Sequence, residues 1–581
     1  MKKFYSNIRD LELLKKVKQA IFAFTKTEWN IFLFLLVLLL GSTVAILQNI
    51  NTSFMVSVPA RGGSINEGII GSARFINPVL ASTDADKDMV SLVYSGLMRK
   101  DSNGEMVPDL AEYVDIDPNG LTYTFKLKDK IYFHDGEIID TDDIVFTINE
   151  IKDPIIKSPK KANWDGVTVN KIDDRTIEFK LAQPYASFLE NASVGILPMH
   201  LWDESPVELN TRNENPVGSG PYKIKKINKA SSGVVNSYEL TSFSKFILGE
   251  PYIKNITLKF YNNETELISA LNKGQVDQIS SISPENALPL KEEGYRIETR
   301  VLPRIFGMFF NQNQNQIFTD KNVLKAMDLA INKDRIVNEV LLGYGIAIED
   351  PVLPSMLAYD KLENKKEISH EENIQKATEL LGKNNWTKNS EGFLEKKITT
   401  NNKTTLTPLE FSISTSNAPE LAKTAELIKQ DLELIGMKVE IKTFDVGNLN
   451  QIVIRPRKYD ALLFGQIINN EGDLFAFWHS SQRTDPGLNI AMYTNPKVDK
   501  ILEDASKTID ENERVKKYAQ FGEEIKKDLP AVFIYSPNFI YIVSKDLDGF
   551  NLNNIINLEE RFKNVYTWSV KKEKVWEIFA K

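Results

Sequence analysis

Seventeen consecutive uncharged residues, Ile31 to Leu47, constrain this chain before anything else does. At about 1.5 Å of rise per residue, a helix of that length nearly spans the hydrocarbon core of a bilayer. The unbroken apolar block Leu35 to Leu40 leaves no polar face of the kind a core helix keeps. A transmembrane anchor over 31–48 is therefore expected. The first thirty residues hold seven basic and three acidic side chains, while the chain as a whole carries a formal charge of -8. That asymmetry predicts a cytoplasmic basic segment over 1–30 and an extracytoplasmic remainder. A cleaved signal peptide is the rival reading. However, thirty residues precede the apolar run, and only Ser42 to Ala45 offers a cleavage pattern, so a retained anchor is expected.

Beyond Arg61 no second long apolar run occurs, and 581 residues with 42% apolar content can bury a large core divided among lobes. The acidic balance excludes a nucleic-acid partner, which would need a basic face to displace counterions from phosphates. With no cysteine, the chain has no thiolate nucleophile, disulfide or iron-sulfur cluster. His134, His200, His370 and His479 stand singly, without the close pairs that put two imidazoles on one ion, so neither a metal nor another cofactor is expected.

Strand and helix patterns alternate with Gly, Pro and Asn punctuation, which predicts an α/β fold. Leu121–Leu127, Ile131–Phe133 and Thr176–Leu181 read as strands, with a tight turn at His134–Glu137. Thr141 is expected to cap a helix whose first turn carries Asp142 and Asp143. Leu421, Ala425, Ile428, Leu432 and Ile435 form one helical face that stops at Gly436. A strand over Lys438–Thr443, a helix near Leu449–Ile452 and a strand over Ala461–Phe464 then read as a crossover between parallel neighbours. Further helices fall at Val323–Ile331, Ile336–Leu341, Val498–Ala505 and Val515–Leu529.

Several segments occur in a fixed order: Leu92-Val-Tyr-Ser-Gly-Leu97, Pro108-Asp-Leu-Ala111, Gly120 to Leu127, Phe133-His-Asp-Gly-Glu137, Asp142 to Phe146, Asn215 to Tyr222 and Tyr493 to Asp499. With these, the chain resembles the solute-binding proteins of dipeptide, oligopeptide and nickel ABC importers from about Gly62 to Trp568. The resemblance implies a two-lobed clamp with an extra domain. Lobe I would be gathered from 60–100, 216–303 and 537–581, the extra domain would span 101–215, and lobe II would span 304–536. Ligand would bind between the lobes, which close over it. The implied partners are a peptide or small polar solute and the ABC permease and ATPase subunits, with the protein itself a monomer. Gly218-Ser-Gly-Pro221 lacks the lysine of a phosphate loop and reads as a close backbone passage.

The family's site maps onto the strand Phe306–Asn313, with Phe310 and Asn311, and onto the loop between Gly465 and Ser481. Peptide-binding members place a carboxylate four positions after a Gly-Trp pair, where it takes the ligand's ammonium. Here the pair is Gly465-Gln466 and the fourth position is Asn469, which supplies no compensating charge. Glu471 and Asp473 stand close enough in sequence to take over. Trp478 offers cation-π surface, although the alternating Phe475 and Phe477 read as core. Arg457, with Arg455 beside it, has the bidentate donors that suit a carboxylate. No covalent chemistry is expected. A surface hydrolase on the same anchor would need a nucleophile elbow or metal motif, and none occurs. A ligand sensor or envelope chaperone built on the same clamp is the remaining alternative.

Overall fold

The computed structural model describes residues 15–20, 22–202, 206–352, 369–400, 403–468, 472–551, 553 and 555–580. They fall into two compact units, Met1–Ala60 with Lys571–Lys581, and Arg61–Val570.

In the first unit a 28-residue helix, Lys26–Ser53, has no buried residue. It begins before the apolar run because Thr25 and Glu28 form a reciprocal capping box that satisfies the first-turn amides. It is long and apolar enough to cross a membrane. The strand Met55–Ala60 follows and pairs antiparallel with Lys571–Trp576.

The second unit is a mixed α/β structure around one long sheet. From one edge its strands are Lys438–Phe444, Glu410–Ser416, Ala461–Ile467, Arg304–Phe310, Ala531–Val543, Gln278–Ser280, Ser64–Ile70, Asn255–Tyr261, Val235–Ser242 and Tyr222–Lys229. The 13-residue strand Ala531–Val543 belongs to both halves. Its first part pairs with Arg304–Phe310 and its last part with Arg296–Val301 and Gln278–Ser280. Period-two alternation then builds separate cores. Met308 and Phe310 enter one cluster and Ile305 and Phe309 another, while Phe539 and Tyr541 join a third with Ile65, Leu92 and Leu258. A separate four-stranded antiparallel sheet, Ala111–Ile116, Thr122–Leu127, Thr176–Leu181 and Val167–Asp173, packs Phe125 and Phe179 with Ile144, Ile148 and Ile151 of the helix Thr141–Lys152.

Three local expectations change. Asp140, not Thr141, caps that helix: its side chain accepts from Asp142 N at 2.8 Å, while Asp143 Oδ2 accepts from Asp140 N at 3.1 Å. The Thr141 hydroxyl instead donates to the Asp173 carbonyl at 2.6 Å. Lys438–Phe444 and Ala461–Ile467 are parallel but not adjacent, because Glu410–Ser416 lies between them and pairs with both. The helix Pro419–Leu434 makes the crossover, burying Leu421, Ala425, Ile428 and Leu432 as their spacing predicts. Ile131–Phe133 forms only a bridge, Tyr132 with Ile138, beside the tight turn.

The Gly-rich junction is a close backbone passage. A Cβ at Gly218 would strike the Val93 carbonyl oxygen, and one at Gly220 would stand 2.6 Å from the Val93 carbonyl carbon and 2.7 Å from Tyr94 N. His134 latches it. Its Nδ1 accepts from Gly218 N at 3.3 Å, so the Nε2 facing the Gly220 oxygen at 3.0 Å carries the proton. Burial holds this imidazole neutral, pushing its pKa down to about 4.

Candidate functional site

The chain passes between the two halves of the long sheet twice, and the crossings are bonded to each other. Leu302 N donates to the Pro537 oxygen at 2.9 Å, and the Ser536 hydroxyl donates to the Leu302 oxygen at 2.5 Å. Ile468 N joins them, donating to the Pro303 oxygen at 2.9 Å, so the loop after Ala461–Ile467 starts at this junction.

Antiparallel register sets Arg304 opposite Ile467 and Phe306 opposite Gly465, and directly opposed side chains share a face. Phe306 stacks on Tyr535, with ring centroids 4.9 Å apart and planes at 23°. It lies so close over Gly465 that a Cβ there would stand 2.7 Å from its ring. Gly465 is thus required by packing, since any side chain would displace the ring. Phe306 and Arg304 are half-buried and Ile467 is 48% exposed, so this face opens toward solvent at its junction end.

Arg304 was missed by the sequence reading. Its Nε is buried without a hydrogen-bond partner among the described residues. Burial weakens its hold on its proton, and the negative charge of Asp84, in the first turn of the helix Asp84–Val93, opposes that effect. A desolvated guanidinium with an unused donor is equipped to take a carboxylate or carbonyl oxygen. The available signal was one cation inside an apolar strand, Leu302 to Phe310.

Of the expected ligand contacts, Asn469 and Glu471 lie outside the described residues. Asp473 opens the short helix Asp473–Trp478 and is half-buried. Its charge reaches Tyr185, which follows the four-stranded sheet in sequence. Burial, then Glu190 and Asp473, push that phenol's pKa up to about 12. Next to it, Ala186 N donates to the Ser506 oxygen at 3.2 Å. The segment around the four-stranded sheet therefore touches the candidate loop's own half of the molecule.

The remaining expected residues build the fold. Trp478 is fully buried against Phe309, Phe521 and Phe533, and Phe310 is fully buried against Phe318. Phe475 and Phe477 do pack on the core around Trp478, but from a helix, in which residues two apart do not share a face. Asn311 and Arg457 do come together, but as a loop staple: Asn311 Nδ2 donates to the Arg457 oxygen at 2.9 Å. Arg457 in turn donates to the carbonyls of Arg483, Ile454 and Gly487 at 3.1, 2.8 and 2.6 Å, so its fork is occupied by backbone. Among the described residues no group of three or more His, Asp or Glu is placed to hold a metal ion.

Residues 105–487 match the model of the bacterial extracellular solute-binding proteins, family 5 middle. The oligopeptide-binding protein AppA of Bacillus subtilis is 26% identical over 515 residues, which cover 86% of this chain and 92% of that protein. The structure of AppA with a nonapeptide superposes with a TM-score of 0.64 at 26% identity, over 88% of this chain and 100% of the other. NikZ of Campylobacter jejuni, in complex with Ni(L-His), gives a TM-score of 0.66 at 27% identity, over 87% of this chain and 99% of the other.

Proposed function

The chain belongs to family 5 of the bacterial extracellular solute-binding proteins, and on that footing we propose that it is the capture subunit of an ABC importer, tethered by its N-terminal helix with residues beyond about Asn49 outside the membrane. It takes a peptide, or a related polar solute, between two lobes and delivers it to a permease and its ATPase. The lobes are those expected from the family pattern: 60–100, 216–303 and 537–581 for the first, 304–536 for the second, with 101–215 as the extra domain.

One observation carries the binding reading. The face of half-buried Arg304 and Phe306 with exposed Ile467 opens at the junction where the chain crosses twice between the halves of the sheet, and Ile468 is bonded there. An aromatic floor and a cation with an unused donor suit a partly apolar ligand that carries a carboxylate, and a peptide is one. The relative whose structure holds a nonapeptide supports the same class. Closure follows if the ligand touches both lobes, because only differential contact shifts the balance between open and closed forms.

Calorimetry with the full chain in detergent micelles tests the reading, using short peptides, their N-acetylated forms and their C-terminal amides. Arg304→Met is expected to weaken free-carboxylate peptides and to leave the amides nearly unchanged. Equal losses for acids and amides would remove Arg304 from recognition.

A further inference from the structure

We propose that the strand pair following the N-terminal helix bears a second membrane contact, in which Trp576, Ile578, Phe579 and Phe54 lie in the headgroup zone of the outer leaflet. The inference rests on the anchor reading above and concerns what surrounds the end of that helix.

Met55–Ala60 leaves the helix almost at once and pairs with Lys571–Trp576 in a register that sets Met55 opposite Trp576. Two further bonds hold the end of this strand to the last helical turns. The Trp576 indole N–H donates to Asn51 Oδ1 at 2.7 Å, and Glu577 N donates to the Phe54 oxygen at 3.0 Å. The chain is then left with large apolar side chains facing outward. Ile578 is 76% exposed, Phe579 71%, Phe54 58% and Trp576 45%. Three of these lie within four residues of chain, and the Glu577–Phe54 bond brings the fourth beside them, so they cluster rather than scatter over the surface.

Position selects the occupant. With Leu47 at the edge of the hydrocarbon, Asn51 and Phe54 lie about 6 and 10 Å further along at about 1.5 Å per residue, within or at the rim of the polar zone. Trp576, bonded to Asn51, shares that depth. An indole whose N–H is satisfied while its ring faces outward has the amphipathic form that is enriched at membrane interfaces. Lys574 lies on the same face as Trp576, two residues before it, and can extend its ammonium to lipid phosphate while its stem covers apolar surface. Glu573 falls on the opposite face. The partner is therefore a lipid surface whose headgroups carry phosphate.

The absence of cysteine makes single-site labelling clean. Ile578→Cys, Leu39→Cys and Ile155→Cys, each in the full chain and carrying a polarity-sensitive fluorophore, are reconstituted into vesicles of phosphatidylcholine and phosphatidylglycerol. Nitroxide lipids then quench from either the ester region or the chain end. The probe at 578 is expected to lose most of its emission to the ester-region nitroxide and little to the chain-end one. The order should reverse at Leu39, and Ile155, 79% exposed, reports the signal of a labelled site outside this unit. If Leu39 is quenched and 578 is not, the lipid contact is wrong and the anchor stands. If 578 becomes shielded only when permease subunits are added, the patch is a protein interface, and the proposal is again wrong. If neither 578 nor Leu39 is quenched, the anchor reading fails and takes this inference with it.

Discussion

Ser536 gives its hydroxyl hydrogen to the carbonyl of Leu302, 2.5 Å away, and this buried bond ties together the two strands by which the chain passes between its cores. The Leu302 oxygen also accepts from Arg304 N at 2.8 Å, so it would not be orphaned by loss of the hydroxyl. Ser536→Ala should therefore cost only about 1 kcal/mol. The effect should be local, seen as faster hydrogen exchange at Leu302 and Arg304 while the amides of Thr122–Leu127 keep their protection. Uniform loss of protection would mean that the bond serves global folding rather than the junction.

A deeper part of the same long strand is pinned electrostatically. Tyr541 donates to Glu67 at 2.6 Å, and Arg561 bridges Glu67 at 3.1 Å and both oxygens of Asp88 at 2.5 and 2.6 Å, all with their side chains buried. Arg561 is the one cation between two buried carboxylates, so removing it leaves both uncompensated. Arg561→Met should thus destabilise the protein by about 3 to 5 kcal/mol, and adding Asp88→Asn should recover part of the loss. Denaturant unfolding of the two variants is the check. A double variant worse than the single would refute the argument from charge.

His134 makes stability depend on pH. Its folded-state pKa is about 4 against the ordinary 6.5, so between those values the unfolded chain binds the extra proton. The contribution is complete above about 6.5, declines as pH falls and is gone below about 4, on the order of 3 kcal/mol in all. His134→Gln should be less stable at neutral pH and should lose less on acidification than the parent. Parallel pH curves for the two proteins would contradict the latch.

If the ligand's amino terminus is bound beside the candidate loop, a buried ammonium must find Glu471 or Asp473, since Asn469 offers no charge. One of Glu471→Gln and Asp473→Asn should cost about 3 to 5 kcal/mol of binding energy, as in comparable broken ion pairs. N-acetylated peptides should be indifferent to both changes. Variants that bind like the parent would move the amino terminus elsewhere or point to a ligand without one.

Much of the architecture was legible because it follows from periodicity and punctuation. The face Leu421, Ala425, Ile428, Leu432 and the stop at Gly436 appear as read, and Gly436 does take a left-handed φ of 85°. The cap at Asp140 was misplaced by one residue, since Asp and Thr are both good caps and only the Thr141–Asp173 bond separates them. Which strand lies between Lys438–Phe444 and Ala461–Ile467 is a long-range fact, beyond the reach of local pattern. The site was less legible for a similar reason. Aromatic and basic residues bind ligands and fill cores with the same chemistry, and only burial assigns Trp478 and Arg457 to the fold while leaving Arg304 a free donor.

The most direct test of the central claim is native mass spectrometry of the full chain, released from membranes in mild detergent and offered an equimolar pool of peptides of mixed length. A solute-binding protein for peptides should retain one peptide per chain, and an excess of the same unlabelled peptide should displace it. Arg304→Met should retain less of any peptide ending in a free carboxylate. A folded chain that emerges with no peptide from any pool, whatever its length or termini, would contradict the account of its cargo.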